Sequence, residues 1–140
     1  SAYFVKCVGF DCDENGEVTT VHCTYDPESR GGNSPDGRKV KGTIHWVSAS
    51  GSFKATVNMY DRLFNVPNPS DESTGSFKDN LNPDSLKVLT GCLIESGLKD
   101  VKPGDVFQFM RKGYFCVDKN STCDNIIFNL TVPLNSSWGK

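Results

Sequence analysis

Between Lys39 and Trp46 the side chains alternate without a break: Val40, Gly42, Ile44 and Trp46 share one parity, and Lys39, Lys41, Thr43 and His45 the other. A period of two places alternate residues on opposite faces of an extended backbone, so this run predicts a half-buried β-strand. The same period returns at once, with Phe53, Ala55, Val57 and Met59 on one face, and the intervening Ser-Ala-Ser-Gly predicts a turn that makes the two runs a hairpin. An earlier pair of apolar runs, Tyr3 to Phe10 and Val18 to Tyr25, flanks Asp13-Glu14-Asn15-Gly16. Asn-Gly supplies the positive backbone angles that tight hairpins need. Further strands are expected at Leu86 to Ile94, Val106 to Met110, Tyr114 to Asp118 and Ile126 to Val132.

The connections are punctuated by turn formers. Residues 26–37, DPESRGGNSPDG, hold nothing to bury and read as a surface loop, and the proline-broken stretch from Asn65 to Gly75 is a long connection of the kind that often carries function. One short helix is expected at Phe77 to Leu81, with Ser76 as its N-cap. No internal repeat or long helical period appears, so the fold class is all-β, a barrel or a sandwich, between which the pattern does not choose. At 140 residues, 36% of them hydrophobic, the chain can bury a core without staples. No stretch reaches the roughly 18 consecutive apolar residues of a membrane span. The formal net charge of −2 lacks the basic excess of an autonomous nucleic-acid binder, so any RNA contact must be local.

Six cysteines (Cys7, Cys12, Cys23, Cys92, Cys116, Cys123) and three N-x-S/T triplets, beginning at Asn120, Asn129 and Asn135, admit a secreted, disulfide-stapled domain. Against this stand the absence of C-x-x-C spacing and the position of Asn129 inside the strand-like IIFNLTV, which favour separately buried reduced thiols in a cytoplasmic protein. Neither the cysteines nor His22 and His45 have zinc-site spacing, and no metal site is expected. Cys23 or Cys116 with His45 would make a nucleophile and base, but both histidines read as ordinary sheet residues. No P-loop, G-x-S-x-G, H-E-x-x-H or dinucleotide motif is present. Basic residues gather at Arg38, Lys39 and Lys41 and again at Arg111 and Lys112; such runs either touch phosphate or merely protect a strand edge.

Three blocks, GRKVKGTIHWVSA (Gly37 to Ala49), YDRLFNVPNP (Tyr60 to Pro69) and GDVFQFMRKGYFCVD (Gly104 to Asp118), resemble in order and separation the C-terminal region of the glutaminyl-tRNA synthetase family. AYFVKC, CTYD, NPDSL, SGLKD and FNLTVPL extend the resemblance over the whole chain, residues 1–140. It implies an anticodon-binding region of two ribosomal-protein-like β-barrels, of which this chain holds the end of the distal barrel and then most of the proximal one. It also implies class I aminoacylation by the full-length enzyme, using ATP with magnesium. The HIGH- and KMSKS-type adenylate signatures are absent from these 140 residues, so no catalytic residue and no cofactor is expected in them.

The family reads the middle anticodon base with its F-Q-F-E-R segment, which stands here as Phe107, Gln108, Phe109, Met110 and Arg111. The resemblance implies that Gln108 offers a side-chain amide to a base edge and that Arg111 offers a guanidinium to base or phosphate. Met110 departs from the pattern, because a thioether cannot replace a carboxylate as acceptor. The implied partners are the tRNA for glutamine and a catalytic domain in the same polypeptide, in a cytoplasmic, non-membrane monomer. The segment from Asn65 to Gly75 resembles the family's loop running towards the catalytic body, and is expected to relay anticodon occupancy. A glutamyl-tRNA synthetase sharing the domain, a free-standing β-barrel interaction module and the secreted domain are the alternatives.

Overall fold

The computed structural model describes residues 2–71, 73 and 75–134; the Asn135 triplet lies outside them. The chain divides into two compact units, Ser1–Ile44 and His45–Lys140. Among the described residues every regular element of length is a strand.

In the first unit β1 (Phe4–Cys12) and β2 (Val18–Asp26) form an antiparallel hairpin. Asp13 closes its turn: the carboxylate accepts from the backbone N–H groups of Asn15 at 2.8 Å and Glu17 at 2.9 Å, while Gly16 takes φ +82°. The Glu17 and Asn15 amides, in that order of importance, hold the Asp13 carboxyl below its ordinary value. A bulge at Val8 separates the Cys7↔Cys23 pair from Gly9↔His22. Without that extra residue the apolar set would change faces half-way along the strand. With it, Val5, Cys7 and Phe10 share a face with Tyr25, Cys23 and Val21, and Tyr3 meets Tyr25 edge-on at 5.2 Å. The opposite face carries Lys6, Asp11, Thr20, His22 and Thr24. The buried hydroxyl of Ser29, in the 3-10 turn Pro27–Ser29, accepts from Phe4 N at 2.7 Å and donates to Asp26 O at 2.6 Å.

Residues 37–48 adopt no regular structure, so the strand expected from Lys39 to Trp46 and its hairpin with the following run are not formed. Gly42 at φ +88° interrupts the extended backbone, and the run has no ladder partner among the described residues. Val40, Ile44 and Trp46 remain largely exposed. The Ser48–Gly51 turn does form, with Gly51 N donating to Ser48 Oγ at 3.1 Å.

In the second unit five strands, β3 (Ser52–Tyr60), β4 (Leu86–Glu95), β5 (Val106–Phe109), β6 (Gly113–Val117) and β7 (Ile127–Pro133), form one sheet in the order β4-β3-β7-β6-β5. All neighbours are antiparallel except β3 and β7. β3 thus pairs with β4 rather than with the run before it. No ladder joins β4 to β5 among the described residues, so the sheet is open along that edge.

Alternation sends Ala55, Val57, Phe115, Val117 and Phe128 to one face, where with Ile94 and Ile126 they form the core. Phe109 stacks on Phe115 at 4.4 Å and meets Phe128 edge-on at 5.1 Å. Each such ring contributes about 1.5–3 kcal/mol by burial and about 0.5–1.5 more from a well-placed aromatic neighbour. Asn58 Nδ2 donates to Asn129 Oδ1 across the parallel pair at 2.8 Å, and Asn129 Nδ2 donates to Asp118 Oδ2 at 2.6 Å. The Asn129 amide is therefore committed to the sheet.

The segment expected as a short helix is a set of turns at 77–80. Ser76 does cap it, accepting from Lys78 N at 3.4 Å, but Leu81 is drawn into a bridge with Phe64 and Pro83 follows. One turn cannot repay helix nucleation.

Candidate nucleic-acid interface

The β5–β6 hairpin places the sequence-identified residues. Its register pairs Phe107 with Phe115, Gln108 with Tyr114 and Phe109 with Gly113. Because the phenylalanines occupy the core face, Gln108 and Tyr114 stand side by side on the other, Gln108 exposed and Tyr114 41% exposed. An amide and an aromatic ring carried next to one another on packed strands can bond to a base edge and stack on a base face. Tyr114 was missed in the sequence; counting parity through a three-residue loop would have found it.

The strand ends one residue before the expected Met110. The ladder closes at Phe109↔Gly113, and Lys112 N donates to Phe109 O at 2.9 Å, so Met110 and Arg111 are the central residues of a turn. Arg111 has φ +61°, the only positive value at a residue other than glycine among those described. The third turn position with positive φ is one that glycine or asparagine normally fills. Gly113 then allows close approach: a Cβ there would lie 2.7 Å from the Val132 carbonyl oxygen and 2.8 Å from Leu130 Cδ1. The hairpin thus seats its frame against β7 and presents Met110, Arg111 and Lys112 at its tip, with Met110 mostly exposed.

The other basic group behaves differently. Arg38 pairs with Asp26 and, at 3.2 Å, with Asp36, and its guanidinium lies 5.7 Å from the centre of the Phe4 ring. The Ser34 hydroxyl and then the Arg38 backbone N–H hold the Asp36 carboxyl below its ordinary value, keeping that partner ionised. An open pocket of about 370 Å³ beside it is lined by Phe4, Val5, Lys6, Thr24, Tyr25, Asp26 and Val40 as well as Arg38. With two carboxylates already on its guanidinium, Arg38 offers an anion little.

His22 Nε2 lies 2.8 Å from Asp11 Oδ2 on the exposed face of the hairpin. Among the described residues no three His, Cys, Asp or Glu side chains converge to hold a metal ion, and no helix is long and apolar enough to cross a membrane. All six cysteines are free, but the expectation that they are buried is corrected: Cys7, Cys12, Cys23 and Cys123 are exposed, and Cys92 and Cys116 half-buried. The first three lie on a two-stranded sheet with no second layer among the described residues of their unit.

Residues 43–118 match the family described as tRNA synthetases class I (E and Q), anti-codon binding domain. The chain belongs to this family. The match to the anticodon-binding domain includes β3 to β6 and therefore Gln108, Arg111 and Tyr114. Relatives extend the similarity beyond it. The glutamine–tRNA ligase of Rhodopirellula baltica is 54% identical over 141 residues, covering 100% of this chain and 23% of the relative. That of Proteus mirabilis is 47% identical over 140 residues, covering 100% and 25%. That of Pseudomonas putida is 53% identical over 130 residues, covering 91% and 23%. The chain thus spans about a quarter of the length of the curated relatives it matches.

Proposed function

We propose that this chain reads the anticodon loop of the tRNA for glutamine, as the anticodon-binding part of a glutamine–tRNA ligase. The observation that carries the reading is the outward pairing of Gln108 with Tyr114 beside the Arg111 turn, within the segment that matches the family. Gln108 supplies donor and acceptor to the edge of the middle base, and Arg111 supplies a fixed cation to base or phosphate. Met110 brings no charge, so the pair reads without a neighbouring carboxylate. We place the first unit at the end of the distal barrel and the second in the proximal barrel. The whole protein then attaches glutamine to its tRNA with ATP and magnesium, through a catalytic domain in the same polypeptide, as a cytoplasmic monomer. The 65–75 connection passes anticodon occupancy to that domain.

The test is Gln108→Ala in the full-length protein, charged with cognate tRNA and with tRNA altered at the middle anticodon base. Loss of a base-edge pair is expected to lower cognate kcat/KM by about 1–3 kcal/mol and to narrow the gap between the two tRNAs. Unchanged values for both would remove Gln108 from the interface.

A further inference from the structure

Cys7 and Cys23 stand directly opposite one another in the β1–β2 ladder, on the same face, and both are exposed. We propose that they form a redox-reactive dithiol, which low-molecular-weight disulfides oxidise to a cross-strand disulfide.

The register supplies the geometry. Opposed residues of an antiparallel pair have Cα atoms about 4.5 or 5.5 Å apart, according to their place in the hydrogen-bond pattern. Both spacings lie inside the range of roughly 4.4–6.8 Å that a disulfide spans, so closure needs side-chain rotation and no separation of the strands. No other described cysteine has this arrangement. Cys12 faces Val18, Cys92 faces Ala55, Cys116 lies between Val106 and Asn129, and Cys123 is in the loop that precedes β7. The bulge at Val8 creates the pair: counted outward from the turn, Gly9↔His22 would otherwise be followed by Val8 opposite Cys23, and the extra residue puts Cys7 there instead.

The chemistry is two exchanges. One cysteine thiolate attacks a sulfur of the small disulfide, breaks its S–S bond and releases one thiolate, leaving a mixed disulfide on the protein. The second cysteine, as thiolate, attacks the protein sulfur of that mixed disulfide, forms the Cys7–Cys23 bond and releases the other small thiolate. The two cysteine protons end on the two small thiols, so the protein loses two electrons and the small disulfide gains them. The second exchange is intramolecular on adjacent strands and outruns capture by further small molecules. Cys12 and Cys123, exposed but unopposed, stop at the mixed disulfide.

The experiment equilibrates the full-length protein with reduced and oxidised glutathione at graded ratios, quenches with acid, alkylates and maps the products by mass. No lysine or arginine lies between Cys7 and Arg30, so trypsin leaves Cys7, Cys12 and Cys23 on one peptide, residues 7–30. The expected oxidised form of the monomer is that peptide two hydrogens lighter, with Cys12 as its one cysteine able to carry a label or glutathione. Cys23→Ser is expected to leave Cys7 as a glutathione mixed disulfide with the same ratio dependence as Cys12. The double variant Cys12→Ser with Cys123→Ser keeps the pair and should oxidise as the wild type does, whether or not Cys23→Ser folds. Separate glutathione adducts on Cys7 and Cys23, a bond from either to Cys12, or linkage found only between molecules would each overturn the proposal.

Discussion

Replacing Arg111 by glycine is expected to move stability and RNA binding in opposite directions. Arg111 holds φ +61° at the third position of the turn closed by Lys112 N and Phe109 O. An L-residue in the left-handed region costs roughly 1–2 kcal/mol through the close approach of Cβ to the following carbonyl. Glycine removes that cost but gives the unfolded chain more freedom, which returns about 0.4–1 kcal/mol to the unfolded state. The difference is a net stabilisation of roughly 0–1.5 kcal/mol. In urea, with a slope of about 1–3 kcal/mol per molar, a gain of 1 kcal/mol moves the midpoint up by about 0.3–1 M. Circular dichroism at the strand band reads that midpoint. Binding of an anticodon stem-loop should meanwhile weaken, and its dependence on salt should become shallower by about 0.7–0.9 in log–log slope as one cation leaves the phosphates. Arg111→Lys retains both the strain and the charge, so its midpoint and salt slope should stay near wild type while the planar fork is lost. A lower midpoint for Arg111→Gly would show that the side chain makes a native contact outweighing its strain. An unchanged salt slope would mean that the hairpin tip does not meet phosphate.

Gly113→Ala should cost about 1–3 kcal/mol in the same urea assay, because its Cβ would meet the Val132 carbonyl at 2.7 Å and neither backbone can yield without opening the β6–β7 ladder; a loss below about 0.5 kcal/mol, the size of a surface substitution, would refute the close approach. Asp118 is held below the ordinary carboxylate value of 3.8 by the Asn120 backbone N–H first and the Asn129 amide second. Its folded value is depressed, so the stabilisation is complete above the unfolded value and is lost as pH falls below about 4 and through the folded value. Asp118→Asn should therefore be less stable than wild type at pH 6, with the gap closing towards pH 2; a gap that does not change with pH would assign the role to shape alone.

Legibility in this sequence followed locality. The first hairpin could be read because Asn15-Gly16 fixes its turn and the flanking residues pair outward from it. β5 to β7 could be read because phenylalanines on one parity leave little choice of face, and this is also why Gln108, set between Phe107 and Phe109, was recognisable as an outward residue. The run from Lys39 to Trp46 carries an equally clean alternation, yet alternation specifies a face and not a partner; a strand also needs a ladder for its backbone groups, and a glycine at positive φ sits in the middle of this one. The parallel pairing of β3 with β7 joins segments about half the chain apart, and nothing local to either predicts it. The Cys7↔Cys23 opposition depends on a bulge whose extra residue, an ordinary valine, has no turn-forming signature. Arg111 is the instructive case, because turn chemistry assigns its conformation to glycine or asparagine and would place arginine elsewhere. A local rule broken at the tip of a hairpin that is otherwise fully consistent, with phenylalanines packed behind it and a required glycine two residues on, is the reason we propose Arg111 for contact with the tRNA. A purely structural turn would settle on glycine there, and that is the comparison the Arg111→Gly measurement makes.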